Sequence, residues 1–337
     1  MQSRPFRIST IPGRIRVFFT AAFLLGVASA LSAGFSDLIL SHHPVAYYRL
    51  EELPGASVAK DSSGQELDGN YVYDLDPDGD PDFPRLGEPG IDINSVCFKT
   101  YRDANNKLHS GDIVIPWDQA INPTNTDGIH GATFSAECWL QPTTQPNDYK
   151  VAVASFGPYG TGAYANASGW NFYQSPGPAS YWILNMKPVV FGQATALRIS
   201  LGAWYHLAVT FDGAQAVFYV NGASQGAYAA SGYLANPSAA LHIGGGPTVG
   251  FGPFDGAIDE VAFYRYALSA RQVEAHYQAT VSLTAARSGQ DVVLSWSFGN
   301  LQQADHVTGA YVLVPGATSP HTNAPAGSRK FYRVQVQ

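Results

Sequence analysis

Charge is scarce in this chain: Asp, Glu, Lys and Arg make up 13% of its 337 residues. Long solvated helices need charged side chains along their outer faces, so this composition argues against them. Basic residues are scarcer than acidic ones, 19 against 26, for a net charge of −7. Nucleic acid and anionic membranes both demand a basic face, so neither is expected as a partner. Cysteine occurs only twice, at Cys97 and Cys138. An even count in an oxidising compartment permits one disulfide, while burial of both as small apolar fillers accounts for them equally well. Signatures of catalysis are missing too. No H-E-x-x-H pair and no Walker lysine occurs, no nucleophile elbow is expected, and neither cysteine adjoins a helix start or a visible histidine partner. Asp259-Glu260 and Glu51-Glu52 are adjacent pairs, which the period of two in a strand sends to opposite faces.

What the chain holds in quantity is Gly (34), Pro (22) and aromatic residues (13%), a mixture that suits short strands and many turns. The length allows one large β domain and something small beside it. Residues 1–33 read as an export signal. Arg4, Arg7, Arg14 and Arg16 form its basic start, and Val17 to Val27 is an apolar run too short to span a bilayer. Ala28-Ser29-Ala30 supplies a cleavage site, with Ala33 a second candidate end. No Arg-Arg pair is present, which favours general secretion. Removing the leader removes four arginines and no acid, so the exported chain is more acidic still. No later run is apolar enough to span a membrane. The expected location is extracellular or in the cell envelope.

The stretch Trp204 to Gly222 anchors the strand pattern. Tyr205, Leu207, Val209 and Phe211 alternate with His206, Ala208 and Thr210, the period of a half-buried strand. Asp212-Gly213 and Asn221-Gly222 bracket a second run rich in β-branched and aromatic residues, so an antiparallel meander is expected. Thr133 to Gln141 predicts another strand, with Phe134, Ala136, Cys138 and Leu140 facing one way and Ser135, Glu137 and Trp139 the other. A Glu inside such a strand needs a partner. Ser269 with Gln272 forms a capping box for a short helix, Ala270 to Gln278.

Two stretches suggest binding chemistry. Residues 157–182 carry Tyr159, Tyr164, Trp170, Tyr173 and further aromatics among Gly, Ser, Asn and Pro. Aromatic faces stack on sugar rings and Asn and Ser bond hydroxyls, so Tyr159, Tyr164, Trp170 and Tyr173 are candidate glycan contacts, although alternation marks some of the stretch as core. Asp74, Asp76, Asp78 and Asp80 begin a D-x-D-x-D-G calcium loop, but its twelfth position is Arg85 instead of the bidentate Glu an EF-hand requires. A looser Ca²⁺ site on these carboxylates and an ordinary solvated loop both remain open.

Several motifs carry a family resemblance. "WYHLAVTFDG…FYVNG", "VAYYRLEE" with "AKDSSGQELDGNY", "F-x-x-E-x-W" at Phe134 to Trp139, and above all "F-x-G-x-I-D-E-V-x-x-Y…A-L-S" from Phe254 resemble a laminin G-like jelly roll of the concanavalin A-like lectin/glucanase superfamily. The resemblance implies an all-β antiparallel sandwich over residues 36–279, followed by a small β tail over 280–337. That tail is more distantly similar to fibronectin-like modules of secreted bacterial proteins. It further implies non-catalytic binding of a polysaccharide or other glycan, with a protein or matrix partner as the alternative. A structural Ca²⁺ on Asp259 and Glu260 with Asp61 and Glu51 is a further expectation, with Asp259 bonding only loop amides as the equal alternative. Glucanases of the superfamily carry E-x-D-x-E or E-x-D-x-x-E on one strand; this chain has neither, which leaves a glycosidase as the distant reading.

Overall fold

The computed structural model describes residues 9–11, 14–18, 35–74, 84–102, 108–157, 167–245, 252–280, 283–296, 299–323 and 330–335, the first two stretches as backbone alone. The chain divides into two compact units, one of Ile39–Glu274 and one of Met1–Leu38 with Ala275–Gln337.

The larger unit is a two-sheet antiparallel sandwich, as the strand pattern predicts. One sheet has the order Ala223–Ala229, Gln215–Val220, Tyr205–Phe211, Phe134–Pro142, Gly256–Tyr264, Asn94–Phe98 and Arg85–Pro89. Ala46–Tyr48 also pairs with Gly256–Tyr264, beyond the stretch taken by Asn94–Phe98. The facing sheet has the order Val190–Gln193, Trp182–Met186, Ser168–Gln174, Lys150–Gly157, Leu241–Ile243, Asp112–Ile115, Gly69–Val72 and Val58–Ala59. Gly252–Pro253 joins this sheet in parallel beside Lys150–Gly157.

The expected meander is present. Asn221 (φ 52°) and Gly222 (φ 73°) are both left-handed, the geometry of a tight hairpin turn. Asp212 accepts hydrogen bonds from the Ala214 and Gln215 amides and closes the other turn. The four expected inward residues Phe134, Ala136, Cys138 and Leu140 all lie in the core between the sheets. The capping box also forms: the Ser269 amide donates to Gln272 Oε1 at 2.9 Å, and the Gln272 amide to Ser269 Oγ at 3.3 Å. It starts the helix Ala270–Ala279.

The strand Tyr205–Phe211 departs from the half-buried expectation, because all seven of its residues are buried. The same holds for all nine residues of Gly256–Tyr264. The outer face of this sheet is therefore closed to water along these two strands, while Ala223–Ala229 and Arg85–Pro89 at its edges stay largely open. Its polar side chains are paired accordingly. His206 Nε2 lies 3.0 Å from Glu137 Oε2, and the Tyr264 hydroxyl donates to Glu137 Oε1 at 2.6 Å. The buried Glu137 thus has the partners its position demands.

The other unit is also β. Leu283–Ser288, Asp291–Trp296 and His321–Asn323 form a three-stranded sheet, with Gly289 (φ 63°) in the turn between the first two. Asn300–Ala304, Val312–Leu313 and Phe331–Gln335 form a second sheet, in which Arg14–Phe18 pairs with Phe331–Gln335 and Ser9–Ile11 pairs with Arg14–Phe18. Leu283, Leu294, Trp296, Leu301, Tyr332 and Val334 make a small core.

Candidate functional site

The strand Ser168–Gln174 sorts its side chains by alternation. Trp170 and Phe172 enter the core between the sheets, so Asn171 and Tyr173 point to the outer face of their sheet. Tyr173 joins Val151, Ala154, Phe156, Ala167 and Ile183 in a separate apolar cluster, with Tyr149 and Tyr181 packed against it. Register continues the polar line across the sheet. Asn171 lies opposite Asn185 on one side and Ala154 on the other. Asn185 in turn lies opposite Phe191, and Ala154 opposite His242. One row of the outer face therefore reads Phe191, Asn185, Asn171, Ala154, His242.

That row passes from open to closed. Phe191 is 53% exposed, Asn185 5% and Asn171 0%. Asn185 Nδ2 donates to the Tyr173 hydroxyl at 3.1 Å. At the far end, His242 Nδ1 pairs with Asp112 Oδ2 at 2.5 Å. Asn171 differs from its neighbours, because neither its amide oxygen nor its amide nitrogen has a hydrogen-bond partner. Each buried amide group left unpaired costs about 1–3 kcal/mol, so two on one side chain are unusual in a folded protein.

The four candidate glycan contacts separate on the structure. Tyr159 and Tyr164 lie outside the described residues. Trp170 is buried in the core beside Phe134, Phe172 and Phe263 and offers no face to a ligand. The expectation of a binding role for Trp170 is corrected: its even spacing with Phe172 places it inward. Tyr173 does sit on the outer face, hydrogen-bonded through its hydroxyl. Asn171, Asn185 and Phe191 carry no sequence motif, and only the strand register reveals their alignment.

The candidate metal residues separate as well. Asp61 is saturated by its own loop, accepting from the amides of Tyr47, Ser63 and Leu67 and from Ser63 Oγ. These bonds use the lone pairs a metal would need. Asp74 lies against His109 Nδ1 and the Ser110 amide. Asp76, Asp78 and Asp80 lie outside the described residues. Asp259 accepts from the Ile91 amide at 2.7 Å and from the Glu260 amide at 2.9 Å. Asp74, expected on the acidic-loop site, and Asp61 and Asp259, expected together at a second site, thus each hold backbone or histidine donors, which corrects both metal assignments.

Acidic side chains do converge elsewhere. Carboxylate oxygens of Glu51, Asp92 and Glu260 lie within 4.8 Å of one another. One Arg49 nitrogen bridges two of them, 2.6 Å from Glu51 Oε1 and 2.9 Å from Asp92 Oδ2. The Tyr47 hydroxyl donates to Glu260 Oε2, while Glu260 Oε1 is buried without a partner. Burial pushes the Glu260 carboxyl up to about 8. Asp259 is raised as well, first by burial and then by the Glu260 charge beside it.

Both cysteines are free thiols. Cys138 faces the core, whereas Val96 and Phe98 face it on the other strand and so turn Cys97 away. The strand Gly256–Tyr264 lies between the two, separating them by two strand spacings, about 9–10 Å. A disulfide cannot bridge opposite faces at that distance, so the pairing expectation is corrected. The run Gly222 to Gly226 does spell G-x-S-x-G, contrary to the expectation that no such elbow occurs. Ser224 sits in the hairpin strand Ala223–Ala229, however, and not on a strand-to-helix turn.

Residues 118–274 match the model of a family described as the concanavalin A-like lectin/glucanases superfamily. No curated protein matches the chain. Among solved structures, the chain is similar to Trypanosoma rangeli sialidase in complex with sialic acid, at 15% identity and a TM-score of 0.47, over 69% of this chain and 32% of that one. The chain therefore spans about a third of the sialidase's length. The binding domain of Paraclostridial Mosquitocidal Protein 1 is similar at 11% identity and a TM-score of 0.47, over 84% and 70%. Domain 4 of AbnA, a GH43 extracellular arabinanase from Geobacillus stearothermophilus in complex with arabinotriose, is similar at 18% identity and a TM-score of 0.39, over 70% and 98%.

Proposed function

We propose that this is an exported, non-catalytic carbohydrate-binding protein that takes a polysaccharide on the outer face of the sheet containing Ser168–Gln174. The observation that carries the reading is the row Phe191, Asn185, Asn171. Phe191 is an exposed aromatic ring that offers a stacking face for a sugar, and Asn185 stands next to it, with the fully enclosed Asn171 behind. A pyranose presents both complements, an apolar ring face and hydroxyls that donate and accept. The matched family description, which contains lectins, agrees with this reading. The basic, apolar and small-residue order of residues 1–33 supports export.

The test is a glycan array with the purified protein, repeated with Phe191→Ala and Asn185→Ala. Binding to one polysaccharide class that weakens in both variants supports the reading. A silent array from protein with a cooperative thermal transition removes it in favour of a protein or matrix partner. Release of reducing ends from the bound polysaccharide would instead make the protein a glycosidase.

A further inference from the structure

Five of the six tryptophans pack inward: Trp139, Trp170, Trp182, Trp204 and Trp296 are each at most 9% exposed. Trp117 is 38% exposed. It lies just past the strand Asp112–Ile115, with Pro116 and Gln119 exposed around it.

A chain of buried polar groups fixes this ring. The indole Nε1–H donates to the Asn236 carbonyl at 2.8 Å. Asn236 Nδ2 donates to Ser155 Oγ at 3.0 Å, and Ser155 Oγ donates to Asn122 Oδ1. Asn122 Nδ2 then donates to the Asp118 carbonyl at 3.0 Å, which returns the chain to the residue after Trp117. Asn122, Ser155 and Asn236 are each at most 3% exposed. A buried polar chain whose members bond one another is rigid, and this one holds the indole by its ring nitrogen and by its backbone. Tethered along the edge that carries Nε1, the ring keeps a face for solvent.

The surroundings suit a sugar. Pro237, bonded to the carbonyl that accepts the indole, is exposed. Asp118 Oδ1 is taken by the Ala120 amide at 2.6 Å, while Oδ2 has no partner among the described residues. A pyranose offers an apolar ring face to an indole and hydroxyls to a carboxylate and an exposed amide. We propose that Trp117, with Asp118 and Gln119, forms a second carbohydrate subsite in which a sugar ring stacks on the indole. This assignment rests on the carbohydrate-binding reading above and adds a separate contact to it. Five strand spacings, about 24 Å, separate the strand of Phe191 from the strand that leads to Trp117. A polysaccharide long enough to reach both gains affinity from each.

Affinity electrophoresis of the purified protein through gels containing arabinan, xylan, laminarin or pectin tests the subsite. Native protein is expected to be retarded in at least one gel. Trp117→Ala is expected to weaken that retardation about tenfold or more, and Trp117→Tyr, which keeps an aromatic face, much less. A thermal melt checks that Trp117→Ala is folded. Tryptophan emission gives an independent readout. Acrylamide is expected to quench native protein more than Trp117→Tyr, and the retarding polysaccharide to shield native protein from it. Equal retardation of native protein and Trp117→Ala, with Phe191→Ala weakened, would overturn this subsite and leave the outer face standing. No retardation in any gel, with no shielding by any of the four polysaccharides, would overturn both.

Discussion

Asp259 and Glu260 are neighbours in sequence and share the outer face of one strand. The bulge at Glu260 spends one residue without advancing the alternation, so Ile258 and Val261 both remain in the core. Because Glu260 is the surplus residue, deleting it restores a regular strand. Deletion of Glu260 is expected to leave a folded protein with a Tm lowered by several degrees, while deletion of Ala262 turns Phe263 out of the core and prevents folding. Far-UV circular dichroism and thermal melts of the two deletions distinguish these outcomes.

Trp170 contributes packing. Its ring lies within 6.1 Å, centroid to centroid, of Phe134, Phe172 and Phe263. Trp170→Ala is expected to cost about 3–5 kcal/mol through lost burial and an unfilled cavity. At about 2–4 °C per kcal/mol for a domain of this size, the Tm falls by roughly 10 °C. Denaturant unfolding measures the loss, and a cost below about 1 kcal/mol would remove Trp170 from the core.

The thiols are expected to resist modification. Burial is the first cause that raises Cys97 and Cys138 above the ordinary thiol range, with Glu88 adding to it for Cys97 and Glu137 for Cys138. A thiol reagent therefore labels Cys138 only after denaturation, and Cys97 slowly in the native state. Reductant leaves the Tm unchanged, since both thiols are free.

Glu137 links three strands through His206 and Tyr264. Removing one member strands the others in a site without water. Glu137→Ala is expected to cost about 3–5 kcal/mol, and Tyr264→Phe about 1–3 kcal/mol. A double-mutant cycle between these two positions is expected to show strong coupling, and additive effects would contradict the network.

Stability is expected to fall as the pH rises above about 4 through Asp112. Burial raises its carboxyl above the usual range, opposed by the hydrogen bond with His242. A carboxyl raised above its unfolded value of about 3.9 stabilises the fold in its protonated form. Its contribution is complete below about pH 4 and is lost as the pH climbs through the raised folded value. Denaturant unfolding from pH 4 upward reads the slope, and Asp112→Asn is expected to flatten it.

Much of this fold is legible in the sequence because its signals are local. The two hairpin turns around Gln215–Val220, the inward set of Phe134–Pro142 and the Ser269 cap each depend on a few adjacent residues. Position on a face is harder. Tyr205–Phe211 alternates as a half-buried strand does, yet His206 and Thr210 are also buried, because what covers a sheet is not written in the strand itself. The bulge contains no glycine or proline to announce it, so adjacent carboxylates read as opposed when they are not. Asp92 reads as an ordinary turn residue, and Asn171 as one more polar residue among aromatics. Both acquire meaning only from strands far away in the chain.

The placement of Gly256–Tyr264 governs when the sandwich can form during synthesis. This last strand of its sheet to be made lies between Phe134–Pro142 on one side and Asn94–Phe98 with Ala46–Tyr48 on the other. An emerging chain ending before Gly256 holds two half-sheets with unpaired edges facing an empty lane. Every pairing that closes the lane spans more than a hundred residues, so folding waits for nearly the whole unit to be present. A nascent chain arrested upstream of that strand remains open along this lane.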